Sequence, residues 1–191
     1  MPSPLIHPAG SILHSFPRPQ WKTMPWKNGG GTTHELFREG NGPDGWALRI
    51  SMAEVTRDGP FSLFPDVHRV ILLIQGNGFV LHRPDGLEIP LLHPAIPFSF
   101  LGEDPWQCRL VNGPVLDFNV MSLRTHPPLA VHPSGPGLIK GRFFLCLKEG
   151  TVGHQPVTAL ELLELQGVLY SDVPGIEILS AQTFPGQIPP Q

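Results

Sequence analysis

Two cysteines in 191 residues, Cys108 and Cys146, are too few for a disulfide framework. Each lies in an apolar stretch, PWQCRLV and RFFLCLKE, which suits a buried free thiol. Basic residues are also in deficit, because 13 Lys and Arg face 16 Asp and Glu for a formal net charge of −3. Nothing is left over to neutralise a phosphate backbone, so nucleic acid is not an expected partner. No apolar run reaches the length of a bilayer, and Pro2, Pro4 and Pro8 break the N-terminal stretch where a signal peptide needs an uninterrupted apolar core. The expectation is a cytoplasmic protein without a membrane partner.

Common catalytic signatures are missing as well. Gly-x-Ser-x-Gly does not occur, and no Lys-Ser or Lys-Thr closes the one glycine run as a phosphate-binding loop requires. The nine histidines contain no His-x-His or His-x3-His pair. His7, His14, His126, His132 and His154 lie in irregular Pro- or Gly-rich stretches, while His68, His82 and His93 fall singly near strand-like runs. Scattered histidines are ordinarily surface or hydrogen-bonded core residues, so neither a metal nor a cofactor is expected.

What the chain does have is glycine and proline, 21 and 24 residues, beside a 40% hydrophobic fraction. Its apolar residues come in runs of five to eight separated by turn chemistry, which reads as an all-β protein rich in turns. WALRISMAEV alternates, with Trp46, Leu48, Ile50 and Met52 on one face and Ala47, Arg49, Ser51 and Ala53 on the other. VILLIQ is apolar on both faces, as an interior strand would be. GFVLHRPDGLEIPLL reads as a hairpin turning at Pro84-Asp85-Gly86. Near the end, VTALELLELQG is read as a strand in preference to a helix.

Residues 125–137, THPPLAVHPSGPG, lose all periodicity and read as a linker between a first half, 1–124, and a second, 138–191. FFLCLKEGTV repeats the style of ILLIQGNGFV, a faint internal duplication consistent with two small β-barrels, the second shorter and poorer in polar strand residues.

Chemistry concentrates in PWKNGGGTTHEL, residues 25–36. Asn28-Gly29 signals a tight turn, and Gly30 and Gly31 exceed what a turn needs; their N–H groups could instead form an anion-binding concavity. Beyond it, Thr33 and Glu35 share one strand face, and Thr32 and His34 the other. Arg49 shares its face with Ser51. Arg69 opens the VILLIQ strand, where a guanidinium needs a carboxylate or leaves its charge uncompensated. Asp117 and Asn119 alternate with Phe118 and Val120 and could accept from it, as a structural pair or as part of a pocket.

PWKNGGGTTHEL, GPFSLFPDVHRVILLIQG, PFSFLGE and DFNVMSLR together resemble the HutD/Ves family, associated with histidine utilisation. The likeness covers roughly residues 20–124. It implies a bicupin, two packed cupin-like β-barrels or jelly rolls of which the second is degenerate. Metal-holding cupins carry a His-x-His pair with a Glu and a later His, whereas Phe64, Pro65, Asp66 and Val67 stand beside a lone His68 here. The resemblance further implies non-enzymatic binding of a small organic acid, N-formylglutamate or a relative, in regulating histidine utilisation. On that reading Asn28, Gly29, Gly30, Thr33, Glu35, Arg49, Ser51, Arg69, Asp117 and Asn119 form the ligand site; Trp26, Trp46 and Phe64 could wall it, although core packing is the commoner use of each such residue. The alternative is a cupin-type enzyme with Glu35 or Asp117 as general base. Cupin-like chains are often dimers, which admits a homodimer; the sequence locates no contact surface.

Overall fold

The computed structural model describes residues 9–180; His7, Pro2, Pro4 and Pro8 lie outside them. Strands dominate, with one short 3-10 turn at Arg18–Gln20. In chain order they begin with β1 (Gly10–Phe16), β2 (Lys22–Pro25), β3 (Gly31–Glu39), β4 (Leu48–Val55) and β5 (Gly59–Pro60). There follow β6 (Val67–Gln75), β7 (Phe79–His82), β8 (Glu88–Leu91), β9 (Phe98–Leu101) and β10 (Gln107–Leu110). Next come β11 (Val115–Leu123), β12 (Ala130–Ser134), β13 (Gly137–Ile139), β14 (Phe143–Cys146) and β15 (Gly150–Val152). The series closes with β16 (Gln155–Val157), β17 (Leu162–Gly167), β18 (Leu169–Ser171) and β19 (Gly175–Leu179).

The chain divides into two compact units, one of residues 20–131 and the other of the described residues on either side of that span. Each unit holds a larger and a smaller antiparallel sheet. In the first, the larger sheet runs β2-β3-β4-β11-β6-β9 and the smaller β5-β10-β7-β8. Their inner faces meet in a core of Ala53, Val55, Ile71, Leu73 and Val115 from one side and Phe79, Leu81, Leu91 and Cys108 from the other. The second unit has the orders β1-β17-β14-β19-β12 and β13-β18-β15-β16. Phe144, Cys146, Leu163 and Leu165 of its larger sheet pack on Ile139, Val152, Val157 and Leu169 of the smaller.

The duplication is visible strand for strand. The run β4 to β11 forms the orders β4-β11-β6-β9 and β5-β10-β7-β8; the run β12 to β19 forms β12-β19-β14-β17 and β13-β18-β15-β16. Each strand therefore has its counterpart eight places along. The weak likeness of ILLIQGNGFV to FFLCLKEGTV is this correspondence, since β6 and β7 match β14 and β15. The first copy is extended by β2 and β3, the second by β1.

Two expected boundaries are corrected. β1 does not belong to the first half: it pairs with β17, His14 opposite Glu164, in the other unit. The expected linker carries backbone pairing, because β12 spans Ala130–Ser134 and β13 starts at Gly137. Its prolines and glycines obscured strands too short to show a period. The turn at residues 84–86 does join β7 to β8, VILLIQ is an interior strand, and LLELQG is strand β17. Both cysteines are free and buried, and burial pushes each thiol up to about 12.

Candidate functional site

The site is made by strand alternation. On β4 the side chains of Ile50 and Met52 lie on one face, which leaves Arg49, Ser51 and Ala53 on the other, toward the interior of the first unit's barrel. Register then sets rows across the sheet. Arg49 stands opposite Met121 of β11, Met121 opposite Arg69 of β6, and Arg69 opposite Phe100 of β9. Ser51 is opposite Asn119, and Ala53 is opposite both Asp117 and Thr33. Two guanidinium-bearing residues thus flank one strand, roughly 10 Å apart at the backbone given the spacing of neighbouring strands.

They open on a cavity of about 360 Å³. Of the ten residues expected at the site, Asn28, Thr33, Arg49, Ser51, Arg69, Asp117 and Asn119 line it together. Trp26, Phe61 and Phe64 wall it, with Lys27 at the exposed rim. The volume suits a small organic molecule.

Arg69 is 6% exposed and Asp117 1%. Arg69 Nη2 donates to Asn119 Oδ1 at 2.9 Å, and Nη1 to the Ser62 carbonyl at 3.3 Å. Asn119 Nδ2 donates in turn to Asp117 Oδ1, so a relay of polar groups links guanidinium to carboxylate. Three phenylalanines surround the cation, with the Phe100, Phe61 and Phe64 ring centroids 4.9, 5.3 and 5.5 Å from its central carbon. These rings attract the charge while excluding the water that would otherwise solvate it. Burial pulls Arg69 down to about 10, against the pull of Asp117, and pushes Asp117 up to about 7, against Arg69 and Asn119. Arg69 Nε is buried with no hydrogen-bond partner, a donor without an acceptor.

Arg49 is held differently. Its Nε donates to Glu35 Oε2 at 2.9 Å, while Glu35 Oε1 lies 3.6 Å from Arg38 Nε. A bulge between Glu35 and Phe37 gives β3 one extra residue, the buried Leu36, and sets both partners beside that carboxylate. Glu35 is therefore a brace behind Arg49, outside the cavity lining. This corrects its expected role as ligand contact or general base.

The glycine run corrects a second expectation. Gly29 N–H donates to the Trp26 carbonyl and Gly30 N–H to the Asn28 side chain, each at 3.0 Å, so neither is free to hold an anion. What the glycines provide is a tight turn between β2 and β3, Gly29 having a φ of 67°. The turn sets Trp26 over the cavity, where its indole N–H donates to Thr33 Oγ1 at 2.8 Å. Thr33→Val removes that acceptor without changing shape. We expect unfolding free energy to fall by about 1–2 kcal/mol, measured by denaturant titration.

Trp46, a candidate for the wall or the core, packs in the core with Val67 and Met121, its ring edge-on to Phe64 at 6.1 Å. It steadies the wall from behind. Sequence reasoning missed Lys27, Ser62 and the cage rings Phe61 and Phe100. Met121 follows from extending the Asp117-Asn119 alternation by one step, whereas Phe61 and Ser62 lie in an irregular segment with no period to read. Among the described residues no three His, Cys, Asp or Glu side chains are grouped to hold a metal ion. No helix among them is long and apolar enough to cross a membrane.

Duplicated jelly-roll topology with an arginine-lined cavity in one copy defines a bicupin-type protein of the all-β class. The HutD family model matches residues 18–132, and the chain belongs to the HutD family. It is 42% identical over 99 residues to an uncharacterized 21.2 kDa Pseudomonas putida protein described as lying in the hutC 3′ region. That match spans about half of each chain, 51% of this one and 52% of the relative. The structure of HutD from Pseudomonas fluorescens SBW25, in a formate condition, has a TM-score of 0.74 at 27% identity, over 90% of this chain and 99% of that one. A conserved protein of unknown function from Pseudomonas aeruginosa PAO1 is similar to the same degree, TM-score 0.74 and 27% identity, over 89% and 100% of the two chains. The family is linked to the histidine utilisation locus.

Proposed function

We propose that this chain is a non-enzymatic binding protein for a small organic acid, N-formylglutamate or a close relative, acting in the regulation of histidine utilisation. The observation that carries the reading is the imbalance of donors over acceptors around the cavity. Arg69 Nε has no partner. Arg49 spends its Nε on Glu35 and keeps its terminal nitrogens, while the Ser51 hydroxyl, the Asn28 amide and the Lys27 ammonium add further donors. A ligand with two carboxylates and a formyl oxygen supplies the acceptors such a site lacks. Phe61, Phe64 and Trp26 offer its carbon chain an apolar wall.

Thermal melts with N-formyl-L-glutamate in metal-free buffer test this directly. Ligand at about a hundred times its dissociation constant adds roughly 2.7 kcal/mol, which raises the melting temperature of a chain this size by roughly 5–10 °C. Unchanged melts at millimolar ligand sink the proposal. Consumption of the ligand, followed by NMR, replaces binding by catalysis, with Asp117 as the base that the cavity still offers.

A further inference from the structure

The cationic side chains that line the cavity already have acidic partners before any ligand arrives. Arg49 is matched by Glu35, whose other oxygen lies near the half-exposed Arg38 outside the cavity, and Arg69 faces Asp117 through Asn119. Lys27 is exposed to solvent at the rim, where its charge is screened. An organic anion entering this neutral interior therefore sets its carboxylate against Asp117 with no buried cation left to offset it. Like charges in a desolvated site are among the most unfavourable arrangements a protein can hold.

We infer that the site takes up one proton together with its anionic ligand, and that Asp117 receives it and becomes an O–H donor to the ligand carboxylate. This rests on the organic-acid reading above and deepens it. The step is a protonation alone: solvent supplies the proton, the O–H bond forms on the Asp117 carboxyl, and no bond of the ligand changes.

Asp117 suits this role better than its neighbours. It lies between β4 and β6, with Ala53 and Leu73 opposite, so neither adjoining strand gives it a directly facing ionic partner. Arg69 reaches it from β6 by way of Asn119. Arg49 on β4 is engaged by Glu35 from β3. From β10 the neighbouring group is the Cys108 thiol, which is protonated near neutrality and senses both Asp117 and Asp58. The ligand draws on the Arg69 charge that stabilises the Asp117 carboxylate and adds negative charge of its own; both favour the acid form. Once protonated, Asp117 turns from acceptor to donor and joins Arg69, Arg49 and Ser51 in presenting hydrogens to the ligand.

Isothermal titration calorimetry decides it, using N-formyl-L-glutamate and the full chain at pH 8 in two buffers of different ionisation enthalpy. The observed heats should differ by the uptake of about one proton, and affinity should fall about tenfold per pH unit above neutrality. In Asp117→Asn, binding should persist with the same heat in both buffers and a flat pH profile. If that variant does not fold, the wild-type buffer dependence decides alone. Wild-type binding with identical heats in both buffers overturns proton uptake and leaves the organic-acid reading standing. No heat in either buffer overturns both.

Discussion

Arg69→Met should raise the dissociation constant for N-formyl-L-glutamate at least about a hundredfold and lower unfolding free energy by about 3–5 kcal/mol. The two losses have separate origins. Affinity falls because Met has no donor to replace Nε, the buried nitrogen left without a partner in the folded chain. Stability falls because Asp117, 1% exposed, loses the cation facing it and must take up a proton to stay buried, while Asn119 Oδ1 and the Ser62 carbonyl lose their donor. The Phe61, Phe64 and Phe100 rings that accepted the guanidinium would accept a thioether as readily, so packing is not what fails. A second variant separates the effects: Arg69→Met with Asp117→Leu should recover most of the stability, read by denaturant titration, and none of the binding, read by calorimetry. Wild-type affinity in Arg69→Met would remove the arginine from the site.

Gly31→Ala should be the most damaging change in the turn. A methyl group there would collide with the Glu54 carbonyl oxygen and stand 3.1 Å from the Trp26 ring. The carbonyl belongs to β4 and cannot retreat without breaking the β3–β4 ladder, in which Gly31 pairs with Val55. The turn must therefore lift, taking Trp26, Lys27 and Asn28 from the cavity together. The expected result is a loss of about 1–3 kcal/mol in stability and about tenfold in affinity. Gly29→Ala offers the contrast, since its added carbon meets nothing within 4 Å and only its positive φ resists. It should cost about 1–2 kcal/mol and leave affinity nearly unchanged, because the turn stays where it is.

Much of this site could be read from the sequence because alternation carries it. Arg49 and Ser51, and Asp117 and Asn119, are two residues apart, so a strand assignment alone sets each pair on one face. That β4, β11 and β6 lie side by side, bringing Arg49 to Arg69, depends on pairings between residues roughly 40 to 75 apart, which no local pattern encodes. The glycine run stays ambiguous in the sequence for a related reason. Three glycines permit an anion nest and a tight turn equally, and the choice falls to the Asn28 side chain that claims the Gly30 N–H. Glu35 was placed on the correct face, but a bulge one residue later decides whether that face meets the ligand or the brace behind it. The bounds of the two units were illegible because β1 owes its place to a partner some 150 residues away.

That last pairing bears on how the molecule is born. During synthesis, residues 20–131 can leave the ribosome with every one of their own strands in hand. β1 emerges before them, yet must wait for β17, so its backbone amides and carbonyls stay without a strand partner while the intervening polypeptide is translated. The barrel that carries the cavity can mature first, and the one that captures β1 is obliged to finish late.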